Sequence, residues 1–178
     1  MFVEKTAFDG RPWNLPQMSK VSDEEYDSFV GYLEGKALTN LLGASFYNRL
    51  KLGLEAEAPD NAIWLLIRDG GNYSIGEVDY VHGGLKDLLT PYIYSEWIRA
   101  DFEKYVGAPA VVPQFENSEM TSPSRLICKG WNEYVRQLGA TTSGYPSDVN
   151  TLYGILTSNE LYGEFEYNIP DTVNILGL

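Results

Sequence analysis

Cysteine and histidine are almost missing from this chain: Cys128 and His82 are the sole representatives of each among 178 residues. One cysteine excludes an internal disulfide framework and any multi-cysteine zinc site. One histidine excludes the HExxH pattern and every ligand set that needs two imidazoles. Positive charge is scarce as well, with 13 Lys and Arg against 25 Asp and Glu, a net charge of −12. A chain this acidic repels phosphate backbones and anionic lipid, which excludes a protein that wraps nucleic acid. No apolar run approaches the roughly 18 residues of a membrane helix. The opening Met1-Phe2-Val3-Glu4-Lys5-Thr6 has no apolar signal core. Neither a membrane span nor a signal peptide is therefore expected, and the chain is expected in the cytosol or assembled from it into something larger.

Catalytic patterns are missing too. There is no Walker A or dinucleotide glycine motif, no nucleophile elbow, and no Asp-rich calcium loop. A Ser-His-Asp set would have to use His82, which has Asp79 and Asp87 nearby in sequence. A turn histidine beside Gly83 and Gly84 is the plainer reading. The acid pairs Glu24/Glu25 and Glu164/Glu166 read as solvated helix or surface charge. No catalytic residue, metal or cofactor is expected, and the chain is read as not an enzyme.

What is present is an ordinary globular share of apolar (44%) and charged (21%) residues, enough for one domain with a core. Aromatics reach 13%, including 13 Tyr and 4 Trp. Rigid aromatic surface of this kind is common at interfaces.

The pattern along the chain is mainly α: a helical bundle with a small β-hairpin and N- and C-terminal arms. Residues 1–21 read as an irregular arm broken by Pro12 and Pro16, with Phe2, Phe8 and Trp13 as its large apolar residues. It either docks on a partner or folds back on the chain's own core. The helical domain is placed at 22–142. Ser22-Asp23-Glu24-Glu25 reads as a capping box. Tyr26, Phe29, Val30, Leu33, Ala37, Leu41 and Leu42 then recur at helical spacing up to a stop at Gly43. Gly31 and Gly35 lie inside this helix and suggest close packing by another backbone. A second helix is expected over 44–57, and a third from an Asp60 cap through Trp64 and Ile67 to Gly70.

Residues 72–82 alternate like a hairpin, with Gly76-Glu77 as its two-residue turn. Such a hairpin must pack on helices or on a neighbouring subunit. Gly83-Gly84 opens the longest helix, to about Tyr105, apolar on several sides, with Pro91 expected to kink or split it. Gly107, Pro109, Pro113 and Pro123 mark a loop over 107–123 in which Val111, Val112 and Phe115 read as a contact arm. A helix from Ser122 or Ser124 to about Leu138 carries Ile127, Trp131, Tyr134 and Val135 as a buried stripe, with Cys128 as a small core residue.

Residues 143–178 form a C-terminal arm. A short helix is expected over Val149–Leu156, followed by extended segments rich in aromatic and β-branched residues. Leu161, Tyr162, Phe165, Tyr167, Ile169, Val173 and Ile175 are its candidate interface residues, covering the chain's own edge or a neighbour's.

The order of these segments resembles the head–tail connector (neck or adaptor ring) proteins of tailed bacteriophages, above all the ring proteins of crAss-like and other Bacteroidetes phages. The residues that carry the resemblance are Leu41-Leu42-Gly43 followed by Phe46-Tyr47 and Leu50, then Trp64-Leu65-Leu66 ahead of Gly70-Gly71-Asn72-Tyr73. The hairpin follows and runs into Gly83-Gly84-Leu85-Lys86-Asp87-Leu88-Leu89 and Tyr92-Ile93-Tyr94. After the Pro-rich loop come Gly130-Trp131-Asn132-Glu133-Tyr134, Leu152-Tyr153-Gly154-Ile155-Leu156, and a closing Ile169-Pro170 with Asn174-Ile175-Leu176-Gly177. The likeness runs from about Val21 to the C-terminus, on motifs that are individually degenerate.

The resemblance implies a structural virion protein at the head–tail junction, present in the host cytoplasm during assembly. It implies a homo-oligomeric ring, a dodecamer, under the portal protein and above the next neck or tail ring protein. Genomic DNA passes through such a ring without specific binding, and no membrane is involved. The alternatives are another virion part, such as a tail-completion or terminator subunit, and an acidic intracellular binding module.

Overall fold

A computed structural model of the chain describes residues 1–15, 18–57, 60–75, 77–105, 123–138, 152–158 and 168–173. Among them the fold is mainly helical with one two-stranded antiparallel sheet. The first helix, α1 (Asp23–Glu55), starts where an Ser-x-x-Glu pattern asks it to: the Ser22 hydroxyl accepts from the Glu25 amide at 3.1 Å. The three acids of its first turn face the positive end of the helix dipole. Tyr26, Val30, Leu33, Ala37, Leu38, Leu41, Leu42, Phe46 and Leu50 form its buried stripe. Gly43, at φ 78° and ψ 154°, breaks the helix into two runs at an angle. A backbone region open essentially to glycine alone thus separates the two runs expected from the sequence.

Helix α2 (Ala62–Asp69) is capped at Asn61, one residue after the expected Asp60, and without a side-chain cap bond. Trp64 lies against Phe46 with ring centroids 5.9 Å apart, and Arg49 sits 5.9 Å from the Trp64 ring. Strands β1 (Gly71–Ile75) and β2 (Val78–His82) pair antiparallel from Gly71↔His82 to Ile75↔Val78. That is the register a two-residue turn requires. Tyr73 and His82 are buried at the base of this hairpin, and Tyr80 packs against the core from its edge. Val78 and Val81 stay exposed.

Helix α3 (Gly84–Tyr105) is the central element: Leu88 through Ser95 are buried without interruption. It is not split at Pro91, which lies inside one helical run. The buried Thr90 and Ser95 hydroxyls are satisfied locally, Thr90 donating to the Lys86 carbonyl at 2.7 Å and Ser95 to that of Tyr92 at 2.8 Å. Helix α4 (Pro123–Gln137) lies along α3, and α5 (Leu152–Ser158) closes the core with Leu152, Ile155 and Leu156; the expected start at Val149 lies outside the described residues.

The close backbone approach is made by a glycine other than those singled out from the sequence. A Cβ on Gly31 would meet nothing within 4 Å, and one on Gly35 only the Tyr47 side chain, its hydroxyl at 3.7 Å. A Cβ on Gly130 would lie 2.6 Å from the Pro91 carbonyl oxygen and 3.0 Å from the Ser95 Cβ. Gly130 is therefore what lets α4 seat on α3. Gly130→Ala is expected to lower stability by about 1–3 kcal/mol, as overpacking against rigid backbone does. Gly31→Ala, on open helix surface, is expected to raise it by about 0.5–1 kcal/mol. Chemical denaturation of the two variants checks both signs.

Candidate functional site: a main-chain docking groove

A helix end leaves carbonyls without intrahelical partners, and the bend at Gly43 creates such an end in the middle of α1. The carbonyls of Asn40 and Leu41, just before the bend, are taken up by a distant piece of chain. The Asn168 amide donates to the Leu41 oxygen at 3.0 Å, and the Asn168 side chain reaches the Asn40 oxygen at 3.4 Å. From there residues 168–173, which carry no helix or strand, cross to α4. Trp131 Nε1 donates to the Asp171 carbonyl at 2.8 Å. Asn132 then pairs with both main-chain groups of Val173, its Nδ2 donating to the carbonyl at 2.7 Å and its Oδ1 accepting from the amide at 2.8 Å. Ile169 is the apolar residue of the segment packed against the core.

Four of these five hydrogen bonds go to main-chain atoms of the segment, and the fifth comes from the Asn168 side chain. The site therefore reads a peptide backbone, with one apolar contact and one amide side chain setting the register. Beside it, between α1, α3, α4 and the segment, lies a cleft of about 360 Å³ walled by Lys36, Asn40, Glu96, Arg99, Trp131 and Ile169. Arg99 Nη1 sits 2.8 Å from Glu96 Oε1 as an ion pair. Tyr92 faces the same cleft, and burial together with nearby Glu96 pushes its hydroxyl up to about 12, so it is a neutral donor at any physiological pH. Trp131, expected in the buried stripe, is half-exposed; its indole N–H belongs to the segment.

The N-terminal arm is held by a second main-chain contact. Glu34, 2% exposed, lies in the apolar stripe of α1. Its carboxylate accepts from the Phe2 amide at 2.8 and 3.0 Å and from the Val3 amide at 2.8 Å. The Tyr26 hydroxyl donates to the Val3 carbonyl at 2.9 Å. Lys5 closes the arm onto the start of α1, donating to the Val21 carbonyl at 2.6 Å and to Asp23 at 2.9 Å. Burial raises the Glu34 pKa, and the Val3 and Phe2 amides offset only part of that rise.

Of the candidate interface residues on this arm, Phe8 is fully buried in the chain's own core beside Tyr26. Phe2 and Trp13 pack against that core, Trp13 lying on Tyr94 at 5.3 Å with Lys129 5.0 Å from its ring. The arm folds back, because its apolar residues find a groove between α1 and α3. Of the two readings of the arm, Phe8 follows the one in which it covers the chain's own core. Ile169 and Val173 lie in the docked segment. Val111, Val112, Phe115, Leu161, Tyr162, Phe165, Tyr167 and Ile175 lie outside the described residues.

His82 is buried with Nε2 3.3 Å from the Ile67 carbonyl, and burial lowers its pKa, so it is a neutral group tying the hairpin base to α2. Asp79 is engaged by the Ser74 hydroxyl at 2.7 Å. Among the described residues no group of three or more His, Cys, Asp or Glu is placed to hold a metal ion, and no helix is long and apolar enough to cross a membrane.

Three residues of these contacts were missed from the sequence: Glu34, Asn132 and Asn168. Glu34 carried a signal, since it stands four residues after Val30 and four before Leu38, inside the apolar stripe. Asn132 carried none, because its partner lies 41 residues away. Comparison with protein families, with curated proteins and with solved structures finds no match.

The buried glutamate makes a signed prediction. Its folded pKa lies above the unfolded value near 4.5, so the folded chain holds the extra proton in the window between the two, and stability falls as pH rises through that window. Glu34→Gln keeps an acceptor for the arm and removes this loss. Its stability advantage over the parent is expected to grow with pH across the window and level off above it. Glu34→Ala, which leaves two amides without their acceptor, is expected to lose about 1–3 kcal/mol. Denaturation midpoints measured at a series of pH values check both.

Proposed function

We propose that this chain is a structural, non-catalytic virion subunit that forms a ring under the portal and extends the DNA channel joining head to tail. The reading rests on the resemblance to tailed-phage connector proteins over 21–178. The observation that carries it furthest is the mode of attachment of residues 168–173. A terminal piece of chain is held on the bundle mainly through its backbone, as an arm that links subunits needs to be. A closed ring requires a heterologous contact repeated around an axis, and arms that dock by main-chain hydrogen bonds meet that requirement without a large apolar face.

The charge of −12 suits a passage for DNA, because a wall with little positive charge does not grip the phosphate backbone. In this reading the partners are further copies of the chain, the portal protein and the next ring of the neck or tail. The chain resides at the head–tail junction of the particle and in the host cytoplasm while particles assemble.

Quantitative mass spectrometry of purified phage particles encoding the chain tests the proposal. About a dozen copies per particle are expected, the number that a portal-matched ring needs. Absence from the particle contradicts it.

A further inference from the structure

The groove at the Gly43 bend and the Asn132 pair impose few demands on the identity of their occupant. Asn132 and Trp131 address only main-chain groups of Asp171 and Val173. Each hydrogen bond described for the segment runs to α1 or to α4. Ile169 alone packs against the core cluster, at its edge, so release of the segment leaves the buried residues of α1, α3 and α4 in place. The same segment of a second copy presents the same backbone groups, the same Asn168 and the same Ile169. It makes the identical contacts, which is the condition under which an element exchanges between protomers at low cost. Within an assembly the high local concentration of neighbouring arms favours that exchange.

We propose that residues 168–173 dock in trans, the groove of one copy taking the segment of another, so that each chain is at once donor and acceptor in a head-to-tail contact. This inference rests on the assembly reading above, and names the contact by which copies join.

Complementation between two full-length variants tests it. Asn132→Ala spoils the groove and keeps the segment intact. Ile169→Asp combined with Val173→Pro spoils the segment, by placing a charge at its apolar contact and removing the amide that Asn132 accepts from, and keeps the groove intact. Each variant alone is expected to run as a 20.0 kDa monomer in native mass spectrometry, and their mixture as a one-to-one heterodimer of twice that mass. Two unmixed monomers would overturn the proposal. Far-UV circular dichroism verifies that both variants are folded. Should Asn132→Ala not fold, Asn132→Asp serves in its place, since it keeps the acceptor and loses only the donor to the Val173 carbonyl. A heterodimer from a chain that is absent from particles would leave the exchange standing and remove the virion role. Ring copies in particles without a heterodimer would remove the exchange alone.

Discussion

Gly43 holds φ 78° and ψ 154°, a conformation that residues with a side chain avoid, and one side of the bundle is organised around it. A continuous α1 would satisfy the Asn40 and Leu41 carbonyls within the helix. The bend turns them outward, and backbone polar groups left without helix partners must find others. Asn168 supplies them. The segment that begins there then lies within reach of α4, where Trp131 and Asn132 complete the contact. The position of α4 depends in turn on Gly130, whose missing side chain lets it lie on the carbonyl of Pro91. Two glycines, one for a dihedral angle and one for space, set the two walls of the docking groove.

The N-terminal arm follows the same principle with a costlier acceptor. A carboxylate buried in an apolar stripe is unfavourable by itself, and Glu34 is tolerated because the Phe2 and Val3 amides donate to it. The pairing works in both directions: the arm gains an acceptor for main-chain donors that its irregular path leaves over, and the helix gains donors for a buried acid. Tyr26 ties the adjoining carbonyl, so the first residues of the chain are anchored by polar contacts before Phe8 adds its apolar one. Both terminal pieces are thus held through backbone groups, one by a charged side chain and one by a neutral amide.

The local parts of this structure were legible in the sequence and the tertiary parts were not. Ser22 with Glu25, the stop at Gly43, the hairpin between Gly71 and His82 and the long helix after Gly83 each follow from signals within a few residues. The helix starting at Ala62 begins one residue later than an Asp60 cap implies, and no side-chain cap bond fixes its start. Gly31 and Gly130 look alike in the sequence, since each stands in a helical run. Only the packing of α3 shows that the second is pressed against a backbone and the first faces open space. Phe8 and Trp13 were ambiguous for a similar reason, because apolar residues on an arm do not say whose surface they cover. The groove itself lay beyond reach. Asn132 gains its meaning from Val173, and no spacing rule connects two positions that far apart in the chain.

The dependence of the docked segment on the bend is the claim on which the rest turns, and amide hydrogen exchange of the Asn168 and Val173 N–H groups in the parent chain and in Gly43→Ala tests it most directly. The account predicts that both amides are protected in the parent, and that Asn168 loses its protection in Gly43→Ala while the buried amides of α3 keep theirs. Exchange of Asn168 at the same slow rate in both proteins, or free exchange of both amides in the parent, would contradict it.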